Sequence, residues 1–223
     1  MKGKYRGFIF DLNGTIIDDM VYHTDAWFDI LVSDLGAKLS YENVKSEMYG
    51  KNSELLKRVF GDDYFDEKTI EELSINKEKK YQKLYKPNLK LISGFEEFID
   101  RASGKAIGMA IGSAAIMFNI DFVIDNLNIR KYFQALVSAD DVDKSKPDPE
   151  TFLKAAEQLK VEPSSCLVFE DAPKGVEAAL NAGMDVVVLT TMHDKHEFSN
   201  FDNIVGFIED YEDPLLEKII GKG

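Results

Sequence analysis

The sequence predicts an α/β protein: a doubly wound parallel sheet interrupted by an inserted all-helical domain. Three observations carry that expectation. Short apolar runs recur at residues 6–11, 106–112, 133–138, 166–169, 185–190 and 204–208, each with the look of a strand buried on both faces. Between them, apolar residues fall three or four apart at 95–102, 118–127, 149–159 and 175–182, which is the spacing of a helix with one buried stripe. The third observation is a gap in the alternation, because residues 20–88 are dense in Glu, Lys, Leu and Tyr and offer no strand. Strand–helix alternation implies a parallel sheet with helices on both faces. The core is therefore expected from residues 1–19 and 89–223, and the helical domain from residues 20–88.

Taken in order, the first run ends in a carboxylate, Asp11, and Asn13-Gly14 then supplies a turn signal. Helices are expected at 22–35, 41–49, 53–60 and 67–85, with Asp62-Asp63 and Pro87-Asn88 as breaks. The helix beginning near Pro149 has Pro and Glu in its first turn, a favourable start for backbone geometry and for the helix dipole. No internal repeat and no low-complexity segment interrupts the pattern.

Composition narrows the function. A chain of 223 residues suits one large domain, or one domain with a small insert, and 44% apolar with 30% charged residues supports a packed core. Twenty-seven basic against 40 acidic residues leave a net charge of -13, which repels phosphate backbones and argues against a nucleic-acid partner. The single cysteine, Cys166, permits no internal disulfide and no cysteine-rich metal site. The apolar stretch 7–10 is too short for a signal peptide core or a membrane span, so a cytoplasmic protein without membrane contact is expected.

Four separated pieces hold the reactive side chains. They are Phe10-Asp11-Leu12-Asn13-Gly14-Thr15, Gly112-Ser113-Ala114, Lys144-Ser145-Lys146-Pro147-Asp148-Pro149 and Phe169-Glu170-Asp171-Ala172-Pro173-Lys174-Gly175. Three follow predicted strands and one precedes a helix, so all fall on the carboxyl edge of the sheet, where open α/β sheets bind ligands. Their chemistry suits phosphoryl transfer. Asp11 and Asp171 offer hard oxygen ligands for Mg²⁺, and a carboxylate such as Asp11 is also able to attack phosphorus. Ser113 and nearby N–H groups suit phosphate oxygens, and Lys146 offsets charge on nucleophile and transferring group.

With these motifs in this order, the sequence resembles the haloacid dehalogenase superfamily of phosphoaspartate-forming phosphatases and mutases. It is most similar to the branch containing β-phosphoglucomutase and sugar-phosphate phosphatases. The resemblance implies a haloacid dehalogenase-like core with residues 20–88 as its helical cap, and Mg²⁺ as cofactor. It implies Asp11 as nucleophile and metal ligand, the Asn13 carbonyl and Asp171 as further ligands, and Glu170 beside the metal. Ser113 and Ala114 would bind phosphate, and Lys146 would stabilise charge. The run Tyr22-His23-Thr24-Asp25-Ala26-Trp27 is similar to the cap hinge of β-phosphoglucomutase, which implies that His23 and Trp27 face substrate, with Lys77 as a further counterpart. The expected partner is a small phosphorylated metabolite, a sugar phosphate first, acted on by a monomer or weak homodimer.

Two departures matter. The usual first motif is Asp-x-Asp, whose second aspartate protonates the leaving oxygen and later activates water; here that position is Asn13. An amide forms hydrogen bonds but exchanges no proton at neutral pH, and losing a general acid–base group costs roughly 10²–10⁴-fold in rate. Asp19 and His23 are the substitutes nearest in sequence. In addition, Gly50-Lys51-Asn52-Ser53 lacks the mutase's distal-phosphate arginine, and Ile116 stands after Ser113-Ala114-Ala115 where the mutase has Ser-Lys. Both argue for a phosphatase over an isomerase, with a phosphate-binding protein of impaired turnover as the other alternative. Plainer roles stay open: Asp171 as a helix cap, Lys146 as a loop lysine, His23 and Trp27 as packing, and the lysines at 77, 79 and 80 as a solvated helix face.

Overall fold

A computed structural model describes residues 4–221; the expected core's outermost residues, 1–3 and 222–223, lie outside the described residues. The chain divides into two compact units, one of Met1–Asp18 with Lys90–Gly223 and the other of Asp19–Leu89.

The first unit is built on a six-stranded sheet in the order β3-β2-β1-β4-β5-β6. The strands are β1 Gly7–Phe10, β2 Gly108–Gly112, β3 Ala135–Val137, β4 Cys166–Glu170, β5 Asp185–Leu189 and β6 Ile204–Ile208. Every pairing is parallel. The chain therefore starts in the middle of the sheet, winds outward through β2 and β3, then returns to the other side of β1 for β4 to β6. The reversal of winding falls between β2 and β4, on either side of β1, and this is where such sheets open a crevice at their carboxyl edge.

Strand alternation divides the core into two chemistries. Phe8 and Phe10 of β1 and Phe169 of β4 share one face with Phe95 and Phe98 from the helix Phe95–Gly104 and with Tyr211. The Phe10 and Phe169 rings stack at 4.7 Å. Ile9, Val168, Val186 and Val188 belong to an aliphatic cluster with Phe152, Ala155, Ala156, Val176 and Ala179. Those partners come from the helices Glu150–Leu159 and Pro173–Asn181. Burying a Phe or Ile side chain stabilises by about 1.5–3 kcal/mol, so β1 is anchored from both faces and the residue after it is rigidly placed.

The second unit contains helices α1 Met20–Phe28, α2 Tyr41–Ser46, α3 Asn52–Phe60 and α4 Glu67–Tyr85 and has no strand among its described residues. Trp27, Ile30, Leu31, Val44, Leu55, Leu56 and Ile70 form its core. The first unit's helices are numbered onward as α5 Phe95–Gly104, α6 Met117–Asn126, α7 Glu150–Leu159, α8 Pro173–Asn181 and α9 Pro214–Ile220.

The doubly wound parallel sheet expected from sequence is the fold observed, with differences at element ends. Ala106 takes a left-handed φ of 56°, so β2 starts later than the apolar run. The expected 22–35 helix is α1 continued by a π-helical segment, Asp29–Asp34. The expected 41–49 helix stops at Ser46. Arg58 donates to the carbonyls of Glu47 (2.7 Å) and Tyr49 (2.9 Å), satisfying acceptors that the helix end leaves without an intrahelical partner. No described helix is long and apolar enough to cross a membrane.

Candidate active site

Parallel register sets three of the four sequence motifs side by side. Phe10 pairs with Ile111 on one side and Phe169 on the other, so the residues just beyond β1, β2 and β4 share one edge of the sheet. Asp11 follows β1 and Ser113 follows β2, while Glu170 ends β4 with Asp171 next to it. Asp11 stays in step with β4, its N–H donating to the Phe169 carbonyl at 3.0 Å. The fourth motif reaches in from the loop between β3 and α7. Lys146 Nζ donates to Asp11 Oδ1 at 2.7 Å and to Glu170 Oε1 at 2.9 Å, and the same ammonium lies over the Phe152 ring, 4.5 Å from the centroid.

The result is a buried cluster of Asp11, Glu170 and Asp171 around a single ammonium group. Burial raises the Asp11 carboxyl from its ordinary 3.8 to about 6, against the pull of Lys146 and with a further push from Glu170. Asp171 is raised well above its ordinary value by burial and by the charges of Glu170 and Asp11. Lys146 moves the other way: burial alone would lower it, but the two facing carboxylates hold its ammonium well above the usual lysine range. Carboxylates pushed toward protonation in this way are a site that gains by acquiring positive charge.

Two glycines make the cluster possible. Gly14 has φ +73°, and a Cβ there would lie 1.9 Å from Asp171 Oδ2. A Cβ on Gly175 would lie 1.7 Å from Glu170 Oε1. Glu170 is thereby seated to accept from the N–H groups of Asp171 (2.7 Å) and Ala172 (2.8 Å) through Oε2. Its carboxylate is occupied in shaping the loop that carries Asp171.

No group of three or more His, Cys, Asp or Glu side chains among the described residues forms a ready metal cage. The chemistry of the donors nevertheless fits Mg²⁺, which takes one or two carboxylates and completes its shell with water and phosphate oxygens. Asp11 and Asp171 supply two such carboxylates on adjacent strands. Their raised pKa values mark a local excess of negative charge that the one lysine leaves uncompensated.

Ser113 is buried at the end of β2, and its Oγ accepts the Ala115 N–H at 3.2 Å; Ala114 lies between them, half-buried. Asn13 is half-buried in the loop after Asp11 and bridges to Ile17. Asp171 is not the cap of α8, whose N-cap is Ala172.

Three further candidates meet within the helical unit. Lys77 Nζ approaches His23 Nδ1 at 2.6 Å and donates to Glu78 Oε1 at 3.0 Å, and it lies 5.5 Å from the Trp27 ring centroid. His23 Nε2 is 3.2 Å from Asp19 Oδ2, which also accepts the Tyr81 hydroxyl, and the His23 and Tyr81 rings stack at 3.7 Å. Lys77 is only 3% exposed, which corrects its placement on a solvated face; burial lowers its pKa against the opposing charge of Glu78. Glu78, Tyr81 and Asn52, whose Nδ2 donates to Glu78 Oε1 at 2.6 Å, escaped the sequence reading. The Asn52–Glu78 and Tyr81–Asp19 pairs span 26 and 62 residues, and no local spacing announces them.

Comparison with known proteins places this geometry. The family model for haloacid dehalogenase-like hydrolases matches residues 8–189. An uncharacterized protein of Haemophilus influenzae is 38% identical over 192 residues, covering 84% of this chain and 92% of that protein. The fructose-1-phosphate phosphatase of Escherichia coli is 30% identical over 195 residues, covering 84% of this chain and 97% of the relative. The crystal structure of β-phosphoglucomutase from Clostridium difficile superposes with a TM-score of 0.81 at 25% identity, over 93% of this chain and 92% of that one.

Proposed function

As the chain belongs to the haloacid dehalogenase-like hydrolase family, we propose that it is a Mg²⁺-dependent phosphatase of a small phosphorylated metabolite, a sugar phosphate in the first instance. The carrying observation is the bond from Lys146 to Asp11 within a buried carboxylate cluster at the sheet's carboxyl edge. That ammonium keeps Asp11 ionised, and so nucleophilic, despite its burial. The similarity to fructose-1-phosphate phosphatase supports the substrate class.

In this reading one Asp11 carboxylate oxygen attacks phosphorus as the phosphorus–ester oxygen bond breaks. The phosphoryl group passes to Asp11, and the alkoxide takes its proton from water or the substrate's surroundings. Water then cleaves the aspartyl phosphate to inorganic phosphate and regenerates the carboxylate. Lys146 offsets charge on the nucleophile and on the transferring group, and Ser113 with the N–H groups around Ala114 holds phosphate oxygens. Asp11, Asp171 and the Asn13 main chain would hold Mg²⁺, which supplies charge neutralisation at the phosphoryl oxygens. Asn13 orients but transfers no proton, so both halves of the cycle lack their usual acid and base. The helical unit is the proposed cap, with His23, Trp27 and Lys77 as its substrate-binding side chains.

The test is phosphate release across a panel of phosphorylated metabolites, with and without Mg²⁺, for the unsubstituted chain and Asn13→Asp. Restoring the carboxylate should raise turnover by roughly 10²-fold or more. Release from neither chain would overturn the phosphatase reading. Asn13 also favours a second reading, a phosphate-ester binder without turnover. Tight Mg²⁺-dependent binding by calorimetry with no product over hours would select it.

A further inference from the structure

We propose that Thr191 is a positioning residue that sets the peptide plane of Gly14 and thereby the loop carrying Asp11 and Asn13; its catalytic consequence rests on the phosphatase reading above. The loop from Asp11 to Ile17 has to keep a particular tilt. Gly14 packs so closely on Asp171 that no side-chain carbon fits between them, and a small rotation of its peptide would drive the backbone into that carboxylate.

The loop's internal bonds, Gly14 N–H to the Ile17 carbonyl at 2.7 Å and Ile16 N–H to the Leu12 carbonyl at 2.9 Å, define its shape but not its orientation on the sheet. Beyond the Asp11 N–H bond to the Phe169 carbonyl, orientation comes from outside through three successive carbonyls. Gly14 O accepts the Thr191 hydroxyl at 2.6 Å, across 177 residues of chain. Thr15 O accepts the Tyr211 hydroxyl at 3.1 Å, and Ile16 O accepts the Ile92 N–H at 2.9 Å. Thr191 is itself held in place, because the preceding Thr190 docks on the end of β6, its N–H and hydroxyl both reaching the Ile208 carbonyl at 3.0 and 3.3 Å.

Of the three anchors, Ile92 acts through its main chain and Tyr211 is buried against Phe10, Phe95, Phe98 and Phe169. Thr191, half-buried after β5, is the side-chain anchor that stands outside this aromatic core, so its donor can be removed without touching the packing around β1. It also lies just beyond the residues the family model matches, so no motif comparison points to it.

The test compares Thr191→Val, which keeps shape and removes the donor, with Thr191→Ser, which keeps the donor and removes a methyl group. Two readouts are taken: amide hydrogen exchange of residues 11–17, and steady-state kinetics with Mg²⁺ and a substrate identified from the panel. Thr191→Val should speed exchange at Gly14 and Ile16 by up to about tenfold, as the loss of one hydrogen bond allows. It should lower kcat by roughly tenfold with KM within about twofold, since misplacing a reacting group is felt in the chemical step. Thr191→Ser should restore both. Unchanged loop exchange in Thr191→Val, or equal impairment in Thr191→Ser, would overturn the proposal. If neither the unsubstituted chain nor Asn13→Asp releases phosphate, the phosphatase reading fails by itself, and loop exchange still decides whether Thr191 holds the loop.

Discussion

Replacing Lys146 with Met keeps an unbranched side chain of similar length and removes the ammonium that bonds Asp11 and Glu170 of the buried cluster and lies over Phe152. Two charge-assisted bonds disappear, and Asp11, Glu170 and Asp171 are left facing one another with little exposure to water. Breaking a buried pair from one side destabilises by about 3–5 kcal/mol, because the abandoned charge stays buried. The sign with pH follows from Asp11. Its carboxyl is raised to about 6 in the fold against an ordinary 3.8, so the native state holds more protons than the unfolded state between those values. Its contribution to stability therefore falls as pH rises through that window. Without the lysine the carboxyl rises further and the window widens upward. Urea unfolding in chelator is the assay, at pH 7.5 and pH 5. At pH 7.5 the variant should lose about 3–5 kcal/mol. At pH 5 the loss should shrink by about 2 kcal/mol, as the carboxyls take up protons. A loss under about 1 kcal/mol at pH 7.5, or the same loss at both pH values, would refute the reasoning.

Two further outcomes concern groups away from the Asp11 cluster. Tyr81→Phe removes the hydroxyl that donates to buried Asp19 and should destabilise the chain by about 1–3 kcal/mol in urea unfolding; an unchanged midpoint would show that the bond contributes nothing. Cys166 is fully buried in β4, and burial pushes its thiol up to about 11. Its labelling by a thiol reagent at pH 8 should therefore wait for unfolding, and fast labelling of the native chain would contradict the placement of β4.

The sheet was legible because parallel strands buried on both faces read as uninterrupted apolar runs, and 204–208 coincides with β6. The same clarity explains why Asp11, Ser113 and Asp171 stood out: each is a polar residue just beyond such a run. Helix ends were less legible. The carbonyls beyond the stop at Ser46 are satisfied by Arg58, a partner no local spacing announces, and the π-helical segment after α1 has no signature in side-chain periodicity. Helix α9 was overlooked although Asp213 caps it, accepting from Leu215 N–H at 2.8 Å, with Pro214 in its first turn; seven residues are too few for periodicity to register. Lys77 misled for another reason. Its neighbours Lys79 and Lys80 suggest a solvated face, yet one residue's rotation about α4 turns Lys77 and Glu78 inward toward His23 and Asn52. Thr191 and Tyr211 were invisible because a threonine after a strand and a tyrosine in a loop acquire meaning only when the fold brings them to the first loop.

The central claim is that Asp11 is the nucleophile, and phosphoenzyme trapping tests it most directly. The unsubstituted chain is mixed with a turned-over, phosphorus-labelled substrate and Mg²⁺, quenched in acid and digested, and the label is mapped. Asn13 cannot activate the water that clears the aspartyl phosphate, so label should be found on the peptide containing Asp11 and be absent from Asp11→Asn. Phosphate release with no labelled peptide, or label retained in Asp11→Asn, would contradict the account.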